Sequence, residues 1–365
     1  MRQKHIKNKN RFFILSTGSR PVRAAVAALS IAALAAARQP AFPQGPAAAP
    51  AKKPVELVIG IREFLSDLPA MIAAADGLYE REGVNVRTLI KPQGKDNEPL
   101  MLDGTLDLAV VGSHIGLNVL FKAGKDNPFV ILACLGGGGR RWRLMASERS
   151  GISSLEGLQN KRLGIWPSSY GYHLLERHLA GKGIRYSPVR IPMKPELAVE
   201  FLEKGKVDAL LAWEPIPALL EDRKLAHEIF NLEGMGAGVP VYLAARKDVV
   251  RKNPAGVAGV LRTLYRATTF VRENPEQAVR RAAATLRLPP RVLKKALRNH
   301  QFQLGLTCAQ RRSLAEAARL FGEMKHNKVP ADVPIEFDTE PLRTFLEKRG
   351  PGPAAPFEEN CPPMK

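Results

Sequence analysis

From residue 55 onward the chain alternates short apolar runs with longer segments whose apolar positions recur every three or four residues. "VELVIGI", residues 55–61, has the dense branched-apolar character of a buried strand. "LPAMIAAADGLYEREG", residues 68–83, has helical spacing and ends at a glycine turn. The alternation continues with strands at "VNVRTLI", "LDLAVVG", "FVILACL" and "RWRLMAS", and helices at "NEPLMLDG" and "HIGLNVLFKAG". It restarts after Ser150, where "ISSLEGLQNK" opens with a serine suited to capping. There "RLGIW", "VRIPM" and "VDALLAW" are predicted strands. "SSYGYHLLERHLAGKG", "PELAVEFLEKG" and "EPIPALLED" are predicted helices, the last with proline in the first turn, where it is tolerated. A strand-like "VPVYLAAR" then leads into a helix-rich end, residues 253–348. This order predicts an α/β fold with mainly parallel sheets covered by helices.

Two stretches share one layout. "GTLDLAVVGSH", residues 104–114, and "GKVDALLAWEP", residues 205–215, both run glycine, any residue, branched apolar, aspartate, apolar run, then a polar or aromatic turn. In each, the glycine should end a short helix and the aspartate should start a buried parallel strand. The turn beyond lies at the carboxyl end of that strand, where open α/β sheets hold their ligands. Two such ends facing one another would make a cleft between two lobes.

Composition narrows the partners. The chain has 365 residues, 45% hydrophobic and 6% aromatic, enough for two lobes with aliphatic cores. The formal net charge is +20, but residues 1–50 carry eight Lys or Arg and no acid, which leaves +12 scattered among acids elsewhere. No nucleic-acid motif and no basic face interleaved with aromatics is present, which argues against nucleic acid.

At the start, basic residues precede "AAVAALSIAALAAA", residues 24–37, which ends in an Ala-x-Ala pattern. That pattern fits a secretory signal over residues 1–37 and hence a periplasmic location, although the basic region is long. A basic amphipathic or disordered arm is the alternative. The apolar stretch is too short for a convincing membrane span. A Pro/Ala-rich linker follows at 38–54, and the Pro-rich end, 349–365, reads as a disordered tail. Cys134, Cys308 and Cys361 lack metal-site spacing, and no cysteine follows the apolar stretch as a lipid anchor would. In an exported protein Cys308 could pair with Cys361, whereas Cys134, in an apolar run, suits a small core position.

Five pieces in order carry a family resemblance: "AAADGLYEREGVNV", "MLDGTLDLAVVGS", "GISSLEGLQNKRLGIWPSSYG", "LEKGKVDALLAWEP" and "VRENPEQAV". Over residues 55–285 the chain resembles the periplasmic substrate-binding proteins of nitrate-, sulfonate- and taurine-type ABC importers, a group related to thiamine-pyrimidine-precursor binders. The resemblance implies a two-lobed periplasmic binding protein fold of type II, with a two-strand hinge and the ligand between the lobes. Lobe 1 would span 55–148, lobe 2 would span 149–238, and 239–348 would return to lobe 1. It implies a monomer that closes on a small ligand and presents it to an ABC permease and its ATPase, with no catalysis, cofactor or metal.

The candidate ligand residues lie on the strand-end loops. Ser168, Ser169, Tyr170 and Gly171 open a helix after "RLGIW", where free N–H groups suit an anion, although a plain N-cap would use the same serine. Gly112, Ser113 and His114 end the first twin strand; Trp213 and Glu214 end the second. Trp213 could wall the ligand, and a buried Glu214 would need a basic partner or would cap its helix. Arg62, Phe64, Ser66 and Leu68 stand in the loop after the first strand. "GGGGRRWR", residues 136–143, departs from the family pattern and lacks the Lys-Ser/Thr end of a phosphate loop. Its glycines could let Arg141 or Arg143 fold over an anionic ligand, or could form a mobile turn beside the hinge. These residues favour a small organic anion such as a sulfonate or an aromatic carboxylate. The competing functions are a pyrimidine-synthase-like enzyme of the same fold, whose Cys-rich motif is absent here, and a receptor for a membrane sensor. His173 and His178, five apart, do not form a metal pair on one helix face.

Overall fold

A computed structural model describes residues 56–362 except 93, 124–126, 167–168, 192–194, 236–237, 324–334 and 349–353. The expected signal peptide and linker, residues 1–54, lie outside the described residues.

Eleven described strands form two sheets. In chain order they are β1 Leu57–Arg62, β2 Val86–Lys91, β3 Leu108–Gly112, β4 Phe129–Gly137, β5 Trp142–Ser147, β6 Arg162–Ile165, β7 Ser187–Arg190, β8 Ala209–Trp213, β9 Ala226–Asn231, β10 Val241–Arg246 and β11 Gln301–Gly305. The first sheet runs β11-β4-β10-β3-β1-β2 and the second runs β7-β6-β8-β5-β9. β1 lies between β2 and β3, parallel to both, and β6 lies between β7 and β8, parallel to both. β1, β4 and β8 are buried along their whole length, as expected for strands covered on both faces. The edge strand β2 is half-exposed and mixes polar with apolar residues.

The twin stretches build equivalent corners. Gly104 and Gly205 both turn with positive φ, +82° and +60°, a conformation that glycine adopts without penalty. Asp107 then accepts the Val58 N–H at 2.9 Å, and Asp208 accepts the Arg162 N–H at 2.8 Å. Each carboxylate thus satisfies a backbone donor near the start of the neighbouring strand and fixes the register of the parallel pair.

The chain crosses between the sheets twice, out through residues 138–141 and back between β9 and β10. The glycine run is the first crossing. It is a buried, close-packed strand end rather than a phosphate loop or a mobile surface turn, since residues 136–139 are all buried. A Cβ on Gly139 would sit 2.0 Å from the Leu232 carbonyl oxygen, and one on Gly136 would sit 2.1 Å from that of Gln301. Gly136, Gly137 and Gly138 have φ of +123°, +150° and +100°. Glycine is required here because two chain segments press together backbone to backbone.

Several expectations change. The order of elements puts "RWRLMAS" in lobe 1, within 55–148, but β5 pairs with β8 and β9 in the second sheet. The crossing therefore lies before it. "ISSLEGLQNK" contains only one 3₁₀ turn, Glu156–Leu158. β9 and β11 fall where no strand is expected. The tail is described over residues 354–362, where it is tied in rather than disordered. Leu304 and Leu306 donate to the carbonyls of Ala354 and Pro356, and a Cys308–Cys361 disulfide closes the segment. Cys134 is buried, and burial pushes its thiol up to about 11.

Candidate functional site

Where the two crossings meet, a cavity opens between the sheets with an empty volume of about 630 Å³ that includes its mouth. Gly112 and Trp213, the carboxyl ends of the twin strands, both line it. Arg62, Phe64 and Ser66 come from the end of β1 and the loop beyond it. Ser113 begins the helix Ser113–Ala123, Ser169 and Tyr170 begin the helix Tyr170–Gly181, and Arg141 comes from the first crossing.

The electrostatics are unequal. Arg62 is 4% exposed and is held by Asp67, 1% exposed, through Nε to Oδ2 at 3.0 Å and Nη2 to Oδ1 at 2.5 Å. Ser66 donates to the same carboxylate at 2.8 Å. Gly112 has no side chain to keep the other end of this guanidinium away, since a Cβ there would lie 3.4 Å from Arg62 Nη1. Arg141 has no such carboxylate. It donates to the Val239 carbonyl at 2.7 Å, and its buried Nε has no hydrogen-bond partner among the described residues. Burial first, and the neighbouring Arg62 charge second, push its pKa down to about 9, against a smaller opposite pull from Asp67. Two guanidinium groups therefore stand beside only one paired buried carboxylate, and an anion would complete the balance.

The walls are aromatic. Trp213 lies 5.0 Å from Trp142 and 6.1 Å from Phe64, centroid to centroid, so rings from both sheets meet at the cavity. Trp166 packs edge-on behind Trp213 at 5.0 Å. Ser169 is the N-cap of its helix, accepting the Tyr172 N–H at 3.1 Å, while still lining the cavity. The two interpretations of that serine are thus compatible. Tyr170 offers its ring, and its hydroxyl turns away to Glu316 at 2.9 Å.

Other expected residues stand elsewhere. Arg143 faces away from the cavity, in an ion cluster with Glu214, Glu221 and Glu228, because side chains alternate along β5 and its neighbour Trp142 takes the cavity side. Glu214 is buried in that cluster. It accepts from Asn299 at 2.8 Å and from the Ala218 N–H at 3.2 Å, and burial raises its pKa against the pull of Asn299 and Arg143. Leu68 is a core residue, fully buried at the start of its helix. Gly171 lies against Trp142, where a Cβ would meet the ring at 2.7 Å. Ser168 and the side chain of His114 lie outside the described residues.

The residues that the sequence did not single out are Gly94, Trp142, Val239, Pro240 and Val241. Trp142 pairs directly with Trp213 across β5 and β8, so knowing that register would have found it. Val239 and Pro240 belong to the return crossing and Val241 opens β10; Ser113 donates to the Pro240 carbonyl at 3.4 Å. Among the described residues no His, Cys, Asp or Glu lines the cavity. No described helix is long and apolar enough to cross a membrane.

Comparison with known proteins gives the family and the fold. The family model described as NMT1/THI5 like matches residues 67–278. A Bacillus subtilis (strain 168) protein named for aliphatic-sulfonate binding is 24% identical over 249 residues, 67% of this chain and 74% of its own. The crystal structure of the periplasmic aliphatic sulphonate binding protein SsuA from Escherichia coli superposes with a TM-score of 0.67 at 20% identity, covering 78% of this chain and 93% of that one. The periplasmic nitrate-binding protein NrtA from Synechocystis PCC 6803 gives a TM-score of 0.63 at 14% identity, covering 82% and 90%. At such identities the structural matches show the fold, which is that of periplasmic binding proteins.

Proposed function

The chain belongs to the NMT1/THI5-like family, and on that premise we propose that it is an extracytoplasmic solute-binding receptor for a small organic anion. It binds its ligand between the two sheets, closes by rotation about the paired crossings, and delivers the ligand to an ABC importer without transforming it. One observation carries this reading: Arg62 and Arg141 share a cavity at the crossings with a single buried carboxylate behind them. The family and the relatives named for sulfonate binding support it.

A thermal-shift screen of small sulfonates and carboxylates tests the proposal. A ligand present at a hundred times its Kd should stabilise the protein by about 2.7 kcal/mol. The same ligand should lose its effect on Arg141→Gln. A set of hits that shifts wild type and Arg141→Gln equally would place the ligand elsewhere.

A further inference from the structure

We propose that the ligand of this cavity is an aromatic monoanion that carries no ammonium group. The inference rests on the receptor reading above and narrows it. Its first ground is charge. Among the described residues two arginines and no carboxylate line the cavity, and Asp67, which pairs with Arg62, is committed to Arg62 and Ser66. An ammonium group would meet two guanidinium groups and no counter-charge, while a single negative charge balances the surplus of one.

The second ground is the hydrogen-bond inventory. The buried Nε of Arg141 and the buried indole N–H of Trp142 lack acceptors among the described residues. Of the lining hydroxyls, Ser66 donates to Asp67, Ser113 to the Pro240 carbonyl and Tyr170 to Glu316, while Ser169 accepts the Tyr172 N–H. The unsatisfied polar atoms of the lining residues are therefore donors, which suits an acceptor-only head such as sulfonate or carboxylate better than a ligand rich in donors. The third ground is the wall. Phe64 from one sheet and Trp142 and Trp213 from the other offer ring faces and edges to the ligand's body, an environment that favours an aromatic ring over a flexible chain.

Isothermal titration calorimetry of the exported protein with benzenesulfonate, benzoate, hexane-1-sulfonate and taurine tests this. At least one of the two ring anions should bind about tenfold more tightly than hexane-1-sulfonate, and taurine should be weaker still. The better of the two ring anions identifies the head group. Trp213→Leu, which stays apolar but removes the ring, should erase the preference for the ring anion over hexane-1-sulfonate. If hexane-1-sulfonate or taurine matches the ring anions, the inference is overturned and the receptor reading stands. If none of the four binds, both fall.

Discussion

Arg62 is tied to a buried carboxylate and Arg141 is not, so neutralising them should have opposite signatures. Arg62→Gln strands Asp67 in the interior, and urea unfolding should show a loss of about 3–5 kcal/mol. Arg141→Gln removes a charge that burial already opposes, so its stability should change by less than about 1 kcal/mol while anion affinity collapses. Equal stability losses in the two variants would contradict the asymmetry. His300 gives a pH test of the same field. It is buried with neither ring nitrogen bonded among the described residues, and burial, then the Arg141 and Arg62 charges, hold its pKa well below the usual value. The unfolded chain takes up a proton near pH 6.5 and the folded chain does not, so stability falls as pH drops below that point. His300→Gln should flatten the fall of the urea midpoint between about pH 7 and pH 5. A wild-type slope retained by the variant would assign the effect to other groups. At this scale the sequence exposed the arginines and Trp213 because they sit at strand ends and in the first loop. Trp142 was hidden because its place depends on which strand β5 pairs with, and an antiparallel partner inside an otherwise parallel pattern leaves no periodic mark.

The elements were most readable where burial is complete. β1, β4 and β8 announce themselves as unbroken apolar runs, and the repeated Gly-x-x-Asp corners mark two equivalent strand starts. β9, "AHEIFN", and β11, "QFQLG", are edge strands of mixed polarity, so neither gave a run to follow. The glycine run showed only that a special backbone was needed there; the reason, a second chain segment at van der Waals distance, comes from far along the sequence. Gly139→Ala should therefore be expensive, about 3 kcal/mol in urea unfolding, because the added methyl meets the Leu232 carbonyl at 2.0 Å. Gly181→Ala, with nothing within 4 Å of the new Cβ, should be neutral or slightly stabilising. A Gly139→Ala protein as stable as wild type would mean that the crossings are looser than described.

For the molecule as a whole, the carboxyl-terminal part holds the two sheets in relation to each other. Arg291 pairs with Asp222 and Lys295 with Glu221, while Arg177 and Tyr170 both meet Glu316, so helices late in the chain reach elements of the second sheet. The end of the chain is itself fastened by the Cys308–Cys361 bridge, which spans 53 residues. Restriction of the unfolded chain by a loop of that length is worth up to about 4 kcal/mol in the entropic account. Reduction, or Cys361→Ser, should lower the urea midpoint accordingly while leaving anion binding in place, since neither cysteine lines the cavity. An unchanged midpoint after complete reduction would show the bridge to be stabilising nothing. This organisation was only partly legible: two lobes followed from the repeated strand–helix order, but the fastening of the tail depends on contacts with β11, an element without a sequence signature.

The chain has three tryptophans, Trp142, Trp166 and Trp213, and all of them belong to the one ring cluster at the cavity. Light absorbed at the red edge of the ultraviolet band therefore excites this place and nowhere else. The native emission spectrum is a built-in optical gauge of the cleft, needing no label, and it should move when solute arrives or the halves part.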